Sequence, residues 1–160
     1  MIFVTLGSQK FQFNRLLKVM DELIKKNLIS EEVFAQIGYS DYIPKNYKYK
    51  DFLDREEFSK QMSEADIVIT HGGTGAIIGA VKKGKKVIAV PRLAKYEEHV
   101  DNHQKEIVKQ FEDMNFIYAC ENPKDLSVMI KKIREAEFDA YESNTQNVIN
   151  SIKKYLDELS

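Results

Sequence analysis

The chain lacks several features that would place it in familiar classes of protein. It has one cysteine, Cys120, in 160 residues, which excludes an internal disulfide framework and favours a reducing compartment. Its 24 basic and 25 acidic residues leave a net charge of -1, which gives no argument for nucleic acid. No apolar run is long enough to span a bilayer, and no charged leader with a cleavage site precedes the first strand. These absences indicate a cytoplasmic protein that reaches any membrane only through a partner.

Short apolar runs alternate with amphipathic helical patterns along the chain. Predicted strands cover residues 2–6, 33–37, 47–52, 67–70, 87–90 and 116–120. The run at 47–52 alternates tyrosine with lysine, which indicates a weaker strand near an edge of the sheet. The alternation predicts an α/β fold with a doubly wound, mostly parallel sheet of about six strands, in a single domain over residues 1–160.

A glycine-rich turn follows the most strongly apolar strand. After residues 67–70 the chain reads His71, Gly72, Gly73, Thr74 and Gly75, and then begins a helix. The glycines allow a sharp turn and a close approach of backbone to a ligand, and Thr74 is a plausible N-cap. Free N–H groups and the positive end of the helix would then form an anion site at the carboxyl edge of the sheet. The alternative is a tight turn that binds nothing.

Two more polar stretches are predicted at the same edge. Gly7 and Ser8 end the first strand and lead into a helix, which makes a second strand-to-helix turn. The strand at 87–90 ends in Pro91 and Arg92, and a polar loop follows down to residues 101–104. Because the carboxyl ends of parallel strands share one edge, all three stretches are expected near a common site.

One apparent nucleotide motif is rejected. Residues 79–86 read G-x-x-x-x-G-K-K, but Lys86 stands where a P-loop needs Ser or Thr to hold magnesium. The match also runs from a helix into a strand, which is the reverse of the required order. Gly84 is better explained as the end of a helix.

The ordered set of residues 4–8, 71–75, 90–91 and 101–104 resembles a known family. It is similar to the C-terminal, donor-binding half of family 28 glycosyltransferases of GT-B architecture, over nearly the whole chain. The small stand-alone versions of that half are the best likeness. They include the cytosolic subunit of the eukaryotic enzyme that adds the second N-acetylglucosamine to dolichol-linked sugar, and the PssE-like subunits of bacterial capsule and exopolysaccharide transferases.

This resemblance implies a UDP-sugar donor at the carboxyl edge and inverting transfer without a required metal or other cofactor. Gly7, Ser8 and residues 71–75 would face the diphosphate, and Arg92 would reach the uracil, ribose or phosphate. The hydroxyls of the donor sugar would meet Asp101, Asn102, His103 and Gln104. No Asp-x-Asp motif is present, which agrees with a metal-independent mechanism.

The sequence departs from the family at one position and leaves three roles open. Gly79 stands where related enzymes have an acid that holds the ribose hydroxyls, so this contact is missing or is supplied by another residue. His71 is the candidate catalytic residue of this chain, and the alternative is that it bonds a loop carbonyl. Asp101 and Asn102 could be a helix cap as well as ligands. The terminal helix, residues 142–160, could dock a partner or pack on its own sheet.

The acceptor-binding half has no room in this chain, so the resemblance implies a membrane-associated partner. That partner would present a lipid-linked saccharide, supply the general base, and hold this chain at the inner face of the membrane. The expected setting is capsule or exopolysaccharide biosynthesis, with galactose or glucuronic acid as the transferred sugar. The rival hypotheses are a non-catalytic nucleotide-sugar-binding or scaffolding subunit and an unrelated flavodoxin-like protein.

Overall fold

The structure is a computed structural model that describes residues 1–140 together with residues 147, 150, 151, 153 and 154. Within these residues, six parallel strands form one sheet in the order β3-β2-β1-β4-β5-β6. The strands are β1 Ile2–Thr5, β2 Val33–Gln36, β3 Lys48–Lys50, β4 Ile67–His71, β5 Lys86–Val90 and β6 Tyr118–Ala119. The helices are α1 Asn14–Lys25, α2 Arg55–Glu64, α3 Thr74–Lys82, α4 His103–Asp113 and α5 Leu126–Ile133. The predicted doubly wound α/β fold is confirmed.

The strand order contains one reversal, between β1 and β4. The chain runs outward from β1 through β2 to β3, then returns to the other side of β1 and runs outward through β4, β5 and β6. Open α/β sheets bind ligands at the carboxyl ends of the strands at such a reversal. Gly7 follows β1 and Gly72 follows β4, so both predicted glycine turns lie there.

The two central strands are buried on both faces, which explains their unbroken apolar sequences. Ile2 and Val4 point to one face, where they pack with α1 and α5, whereas Phe3 points to the other face and packs with α2, α3 and α4. Burial decreases at the edge of the sheet. Lys48 and Lys50 of β3 are exposed, as expected for an edge strand.

The structure shortens the ends of several predicted elements. The strand predicted at 116–120 has only two residues in the ladder, Tyr118–Ala119, which pair with Ile88 and Ala89 of β5. Gly84 lies just beyond α3 with φ of +71°, which confirms it as a helix terminus. The terminal helix predicted at 142–160 falls almost entirely outside the described residues. Among those that are described, no helix is long and apolar enough to cross a membrane.

Candidate functional site

A cavity of about 290 Å³ brings two of the predicted stretches together at the reversal point. It is lined by Gln9, Gly72, Gly73, Thr74, His99, Asp101, His103, Gln104, Ile107 and Lys153. The glycine turn after β4 and the start of α4, which are about thirty residues apart in sequence, therefore share one cavity. The other predicted site residues lie around this cavity or behind its wall and do not line it; they are Gly7, Ser8, His71, Gly75, Arg92 and Asn102.

Three glycines make room for buried side chains behind the cavity. A Cβ at Gly73 would collide with the imidazole of His71, and a Cβ at Gly7, where φ is +71°, would lie 2.7 Å from His71 Nε2. A Cβ at Gly72 would lie 2.8 Å from the Cβ of Gln104. The absence of side chains thus allows the two turns to close over His71 and α4. Gly75 differs, since a Cβ there would meet nothing within 4 Å.

The helix after the glycine turn begins one residue earlier than its predicted cap implies. Gly73, in extended conformation, is the N-cap of α3, and Thr74 is the first helical residue. The interpretation of Thr74 as the N-cap is therefore wrong, and Gly73 provides no side-chain oxygen to cap the helix. The first-turn N–H groups of α3 have no acceptor within the helix, so they remain available at the cavity wall.

Gln104 joins the ends of two neighbouring strands. Its Oε1 accepts hydrogen bonds from the backbone N–H groups of Gly72 and Arg92, each at 3.0 Å, and its Nε2 lies 3.3 Å from Nδ1 of His71. The residue is only 3% exposed. Its amide is therefore engaged within the protein, although the resemblance implies a contact with a sugar hydroxyl.

His71 is a buried, neutral imidazole. Burial, assisted by the positive charge of Arg92, lowers the pKa of His71 from 6.5 to about 3. A group whose conjugate acid is this strong is a poor general base near neutral pH. The alternative in which His71 bonds a loop carbonyl is not what the structure shows, since its hydrogen-bond partner is the side chain of Gln104.

Arg92 lies behind the site and holds two loops together. Its guanidinium donates to the carbonyl oxygens of Leu6, Phe11, Gln12 and Glu98, at 2.7–3.3 Å. The side chain is 1% exposed, and burial lowers its pKa to about 10, so it stays charged at neutral pH. The structure does not bring Arg92 to the cavity for the predicted contact with uracil, ribose or phosphate. Instead it links the loop after β1 to the loop after β5.

The loop before α4 divides its polar groups between structure and cavity. Asp101 Oδ1 accepts from the N–H of His103 at 3.0 Å, whereas Asn102, the N-cap of α4, uses its side chain to accept from Ala94 N–H at 2.9 Å. Asp101 Oδ1 also lies 3.2 Å from His99 Nδ1, but outside hydrogen-bonding geometry. Asp101 and His103 are about one third exposed and line the cavity. The predicted cap is thus made by the side chain of Asp101.

Several residues near the site were not predicted from the sequence. Gln9 follows the Gly7 turn directly, and that position was the only signal for it. Lys153 comes from the C-terminal segment, and no motif points to it. Tyr39 and Phe52 follow β2 and β3 at the same edge; they are 53% and 46% exposed, and their rings meet edge to face at 5.1 Å.

Two other cavities, of about 410 and 490 Å³, lie towards β5 and β6. Neither is lined by a predicted site residue. The first contains Arg15, whose guanidinium is already paired with the buried Glu98 through two contacts of 2.9 and 3.0 Å. No group of three or more His, Cys, Asp or Glu side chains is placed to hold a metal ion within the part of the chain that the structure describes.

Comparison with protein families finds one match over almost the whole chain. Residues 1–159 match the model of the glycosyltransferase family 28 C-terminal domain. The match covers both glycine turns and the loop before α4.

Curated relatives are UDP-N-acetylglucosamine transferase subunits named ALG13. The mouse protein is 26% identical over 130 residues, the human protein 28% over 126 residues, and the Candida glabrata protein 27% over 128 residues. These alignments cover 74%, 74% and 75% of this chain. The chain spans 10% of the mouse relative, 11% of the human relative and 58% of the yeast relative.

Solved structures share the fold at low sequence identity. MurG of Acinetobacter baumannii superimposes with a TM-score of 0.57 and 21% identity over 94% of this chain and 49% of its own. An NMR structure of ALG13 superimposes with a TM-score of 0.59 and 17% identity, over 92% of this chain and 94% of the ALG13 chain. The glycosyltransferase SsfS6 of Streptomyces sp. SF2575 was solved with thymidine diphosphate. It superimposes with a TM-score of 0.56 and 18% identity, over 98% of this chain and 37% of the SsfS6 chain.

Proposed function

The chain belongs to the glycosyltransferase family 28 C-terminal domain family, and from that premise we propose that it is the donor-binding, catalytic subunit of a two-component inverting glycosyltransferase. Its donor is a UDP-sugar. The observation that carries the proposal is the cavity at the reversal point of the sheet, where the glycine turn and the loop before α4 share one wall. This is the position in which open α/β sheets bind nucleotides.

The diphosphate of the donor fits the wall formed by the glycine turn. The first-turn N–H groups of α3 are free to donate, and the helix N-terminus adds a positive potential there. Among the described residues that line the cavity, Lys153 is the one lysine or arginine, so it can offset part of the charge of the diphosphate. Fixed dipoles and one cation thus stabilise the UDP leaving group, which requires no metal.

The sugar and the nucleoside fit on either side of that wall. Asp101 and His103 line the cavity with partly exposed polar side chains that suit sugar hydroxyls. The exposed pair of Tyr39 and Phe52, at the ends of β2 and β3, offers aromatic surface to a uracil ring. Gly79 supplies no ribose contact, and a Cβ there would meet nothing within 4 Å, so the ribose must be held by other groups.

The general base is proposed to come from a partner protein. His71 is buried and has a pKa of about 3, so it suits hydrogen-bond donation better than proton removal. The curated relatives are named as transferase subunits, and we propose that a separate, membrane-associated protein acts together with this chain. This partner binds a lipid-linked saccharide, supplies the base, and recruits the chain to the membrane.

The donor sugar and the pathway can be identified by direct assay. The ALG13 relatives are named for UDP-N-acetylglucosamine, which makes that donor the first to test. UDP-galactose and UDP-glucuronic acid are the alternatives from the capsule and exopolysaccharide setting. The acceptor to use in the transfer assay is the lipid-linked saccharide of a capsule or exopolysaccharide system.

The test is transfer from these three UDP-sugars to a lipid-linked monosaccharide, with the chain alone and with its candidate membrane partner. Transfer that requires both proteins supports the two-component enzyme and identifies the donor. Asp101→Asn, with Glu106→Gln as the matched control on the outer face of α4, then asks whether this chain holds the sugar. A stable complex that transfers none of the donors would replace the proposal with a non-catalytic binding or scaffolding subunit.

A further inference from the structure

The side-chain amide of Gln104 has one orientation that satisfies its surroundings. Two backbone N–H groups, of Gly72 and Arg92, point at the same terminal atom of this side chain from 3.0 Å. An amide nitrogen at that position would face two donors and could accept from neither, so the atom must be the oxygen. The amide nitrogen therefore lies on the other side, 3.3 Å from Nδ1 of His71.

This orientation determines where His71 carries its proton. An amide nitrogen only donates, so Nδ1 must be the unprotonated, accepting nitrogen of a neutral imidazole. We infer that Gln104 is a positioning residue that fixes His71 in the Nε2–H form and presents that N–H as a hydrogen-bond donor between the two glycine turns. Gln104 then acts through His71 and does not itself hold the sugar.

The location of Nε2 supports a role in binding. A Cβ placed at Gly7 or at Gly73 would lie 2.7 Å from Nε2, so this nitrogen sits where the turns after β1 and β4 converge. No hydrogen bond among the described residues uses it. It is also absent from the buried side-chain atoms left without a partner there, which are Thr70 Oγ1, Arg92 Nε and His99 Nδ1. Nε2–H is thus an unpaired donor with some access to solvent.

The charged groups around the imidazole keep it neutral. Arg92, at the end of β5, and His99, in the loop before α4, both disfavour a positive charge on His71, and burial acts in the same direction. Gln104, on α4, contributes a neutral amide in place of a carboxylate. The donor therefore keeps the same protonation state throughout the neutral pH range. Under the proposed function, on which this last step rests, its acceptor is an oxygen of the nucleoside diphosphate.

The first test needs no substitution and no ligand. The chain has three histidines, so long-range proton–nitrogen NMR spectra of the labelled full chain resolve each ring, with His99→Gln and His103→Gln used for assignment. We expect His71 to show a protonated Nε2 and an unprotonated Nδ1 that do not change between about pH 8 and pH 5. A protonated Nδ1 in the unsubstituted protein would overturn the inference, whatever its activity.

The second test reverses the amide. In Gln104→Glu one carboxylate oxygen can still accept from both backbone N–H groups, but the other then requires a proton on Nδ1. We expect the proton of His71 to move to Nδ1 and its pKa to rise by about 1–3 pH units, as for other ion pairs. Gln110→Glu is the control, because it makes the same change on the exposed face of α4.

Binding of UDP then separates this inference from the proposed function. Gln104→Glu should weaken UDP binding by about tenfold or more, the effect of losing one good hydrogen bond to a charged group, whereas Gln110→Glu should not change it. If His71 has the expected form but UDP does not bind even to the unsubstituted chain, the proposed function fails and the positioning role stands. A His71 spectrum that is the same in Gln104→Glu and the unsubstituted chain contradicts the positioning role.

Discussion

The inner wall of the site and its rim use the same kinds of residue for different purposes. We call His71, Arg92 and Gln104 the inner wall, because these side chains lie behind or beside the cavity. They are at most 4% exposed, and their polar groups bond mainly to one another and to loop backbone. On the rim, Asp101 and His103 are about one third exposed and line the cavity. The difference teaches that a polar residue after a strand, such as Arg92, can support the candidate site from behind by bonding the loops around it.

Removal of Arg92 should show the largest effect of the inner wall. Arg92→Ala leaves four buried or part-buried carbonyl oxygens without their shared donor, so we expect the free energy of unfolding to fall by about 3–5 kcal/mol. Urea denaturation measures this loss. Lys109→Ala, on the exposed face of α4, removes the same charge and should stay within about 0.5 kcal/mol. Equal losses of unfolding free energy in the two variants would mean that the hydrogen bonds of Arg92 do not stabilise the fold.

A methyl group in the glycine turn should separate positions that look alike in sequence. Gly73→Ala pushes a Cβ into the imidazole of His71 and should cost up to about 3 kcal/mol of folding stability. Gly75→Ala meets open space inside the first turn of α3 and should stabilise the protein by up to about 1 kcal/mol. Thermal and urea unfolding of both variants check the contrast, and a stable Gly73→Ala protein would contradict the packing described here.

Acid should lower the stability of the fold through His71 on the inner wall. The pKa of His71 is lowered from 6.5 to about 3 on folding, so the folded state holds the ring neutral. The resulting stabilisation is complete above pH 6.5 and is lost as the pH falls towards 3, because the unfolded chain then binds a proton that the folded chain does not. Between pH 7 and pH 5 this predicts a loss of about 2 kcal/mol.

Denaturation at several pH values isolates that loss. The pH dependence should be smaller in His71→Gln than in the unsubstituted chain, while His103→Gln on the rim should retain it. Parallel curves for all three proteins would show that His71 does not carry the effect.

The rim should affect ligand binding with little change in stability. Asp101→Asn keeps an acceptor oxygen for the N–H of His103 but removes the charge from the cavity. We expect the affinity for a UDP-sugar to fall by about tenfold and the affinity for UDP alone to stay the same, because the lost hydrogen bonds are to the sugar. Calorimetry with both ligands measures the difference. A similar loss of affinity for UDP would contradict the assignment of Asp101 to the sugar.

The sequence was sufficient to predict the sheet and to place the glycine turns and the polar loop of the candidate site at one edge. Apolar runs such as residues 67–70 predict buried parallel strands, and the glycines after two of them predict turns at one edge. The separation of wall from rim could not be predicted. Arg92 is held by the carbonyl of Leu6, which is 86 residues away in sequence, and no local pattern records such a contact. Thr74 illustrates the same limit locally, since a shift of one residue at the helix start changes which residue is the cap.

The exposed edge of the sheet has a consequence for behaviour at high concentration. A free edge strand offers unpaired backbone groups to the edge of another molecule, which is a route to aggregation. In this protein β3 is only three residues long, and exposed lysines at Lys48 and Lys50 flank its central Tyr49. At the opposite edge, β6 has two residues in the ladder. Both edge strands are short, and one of them carries two exposed lysines. These features therefore protect the sheet against growth by strand addition.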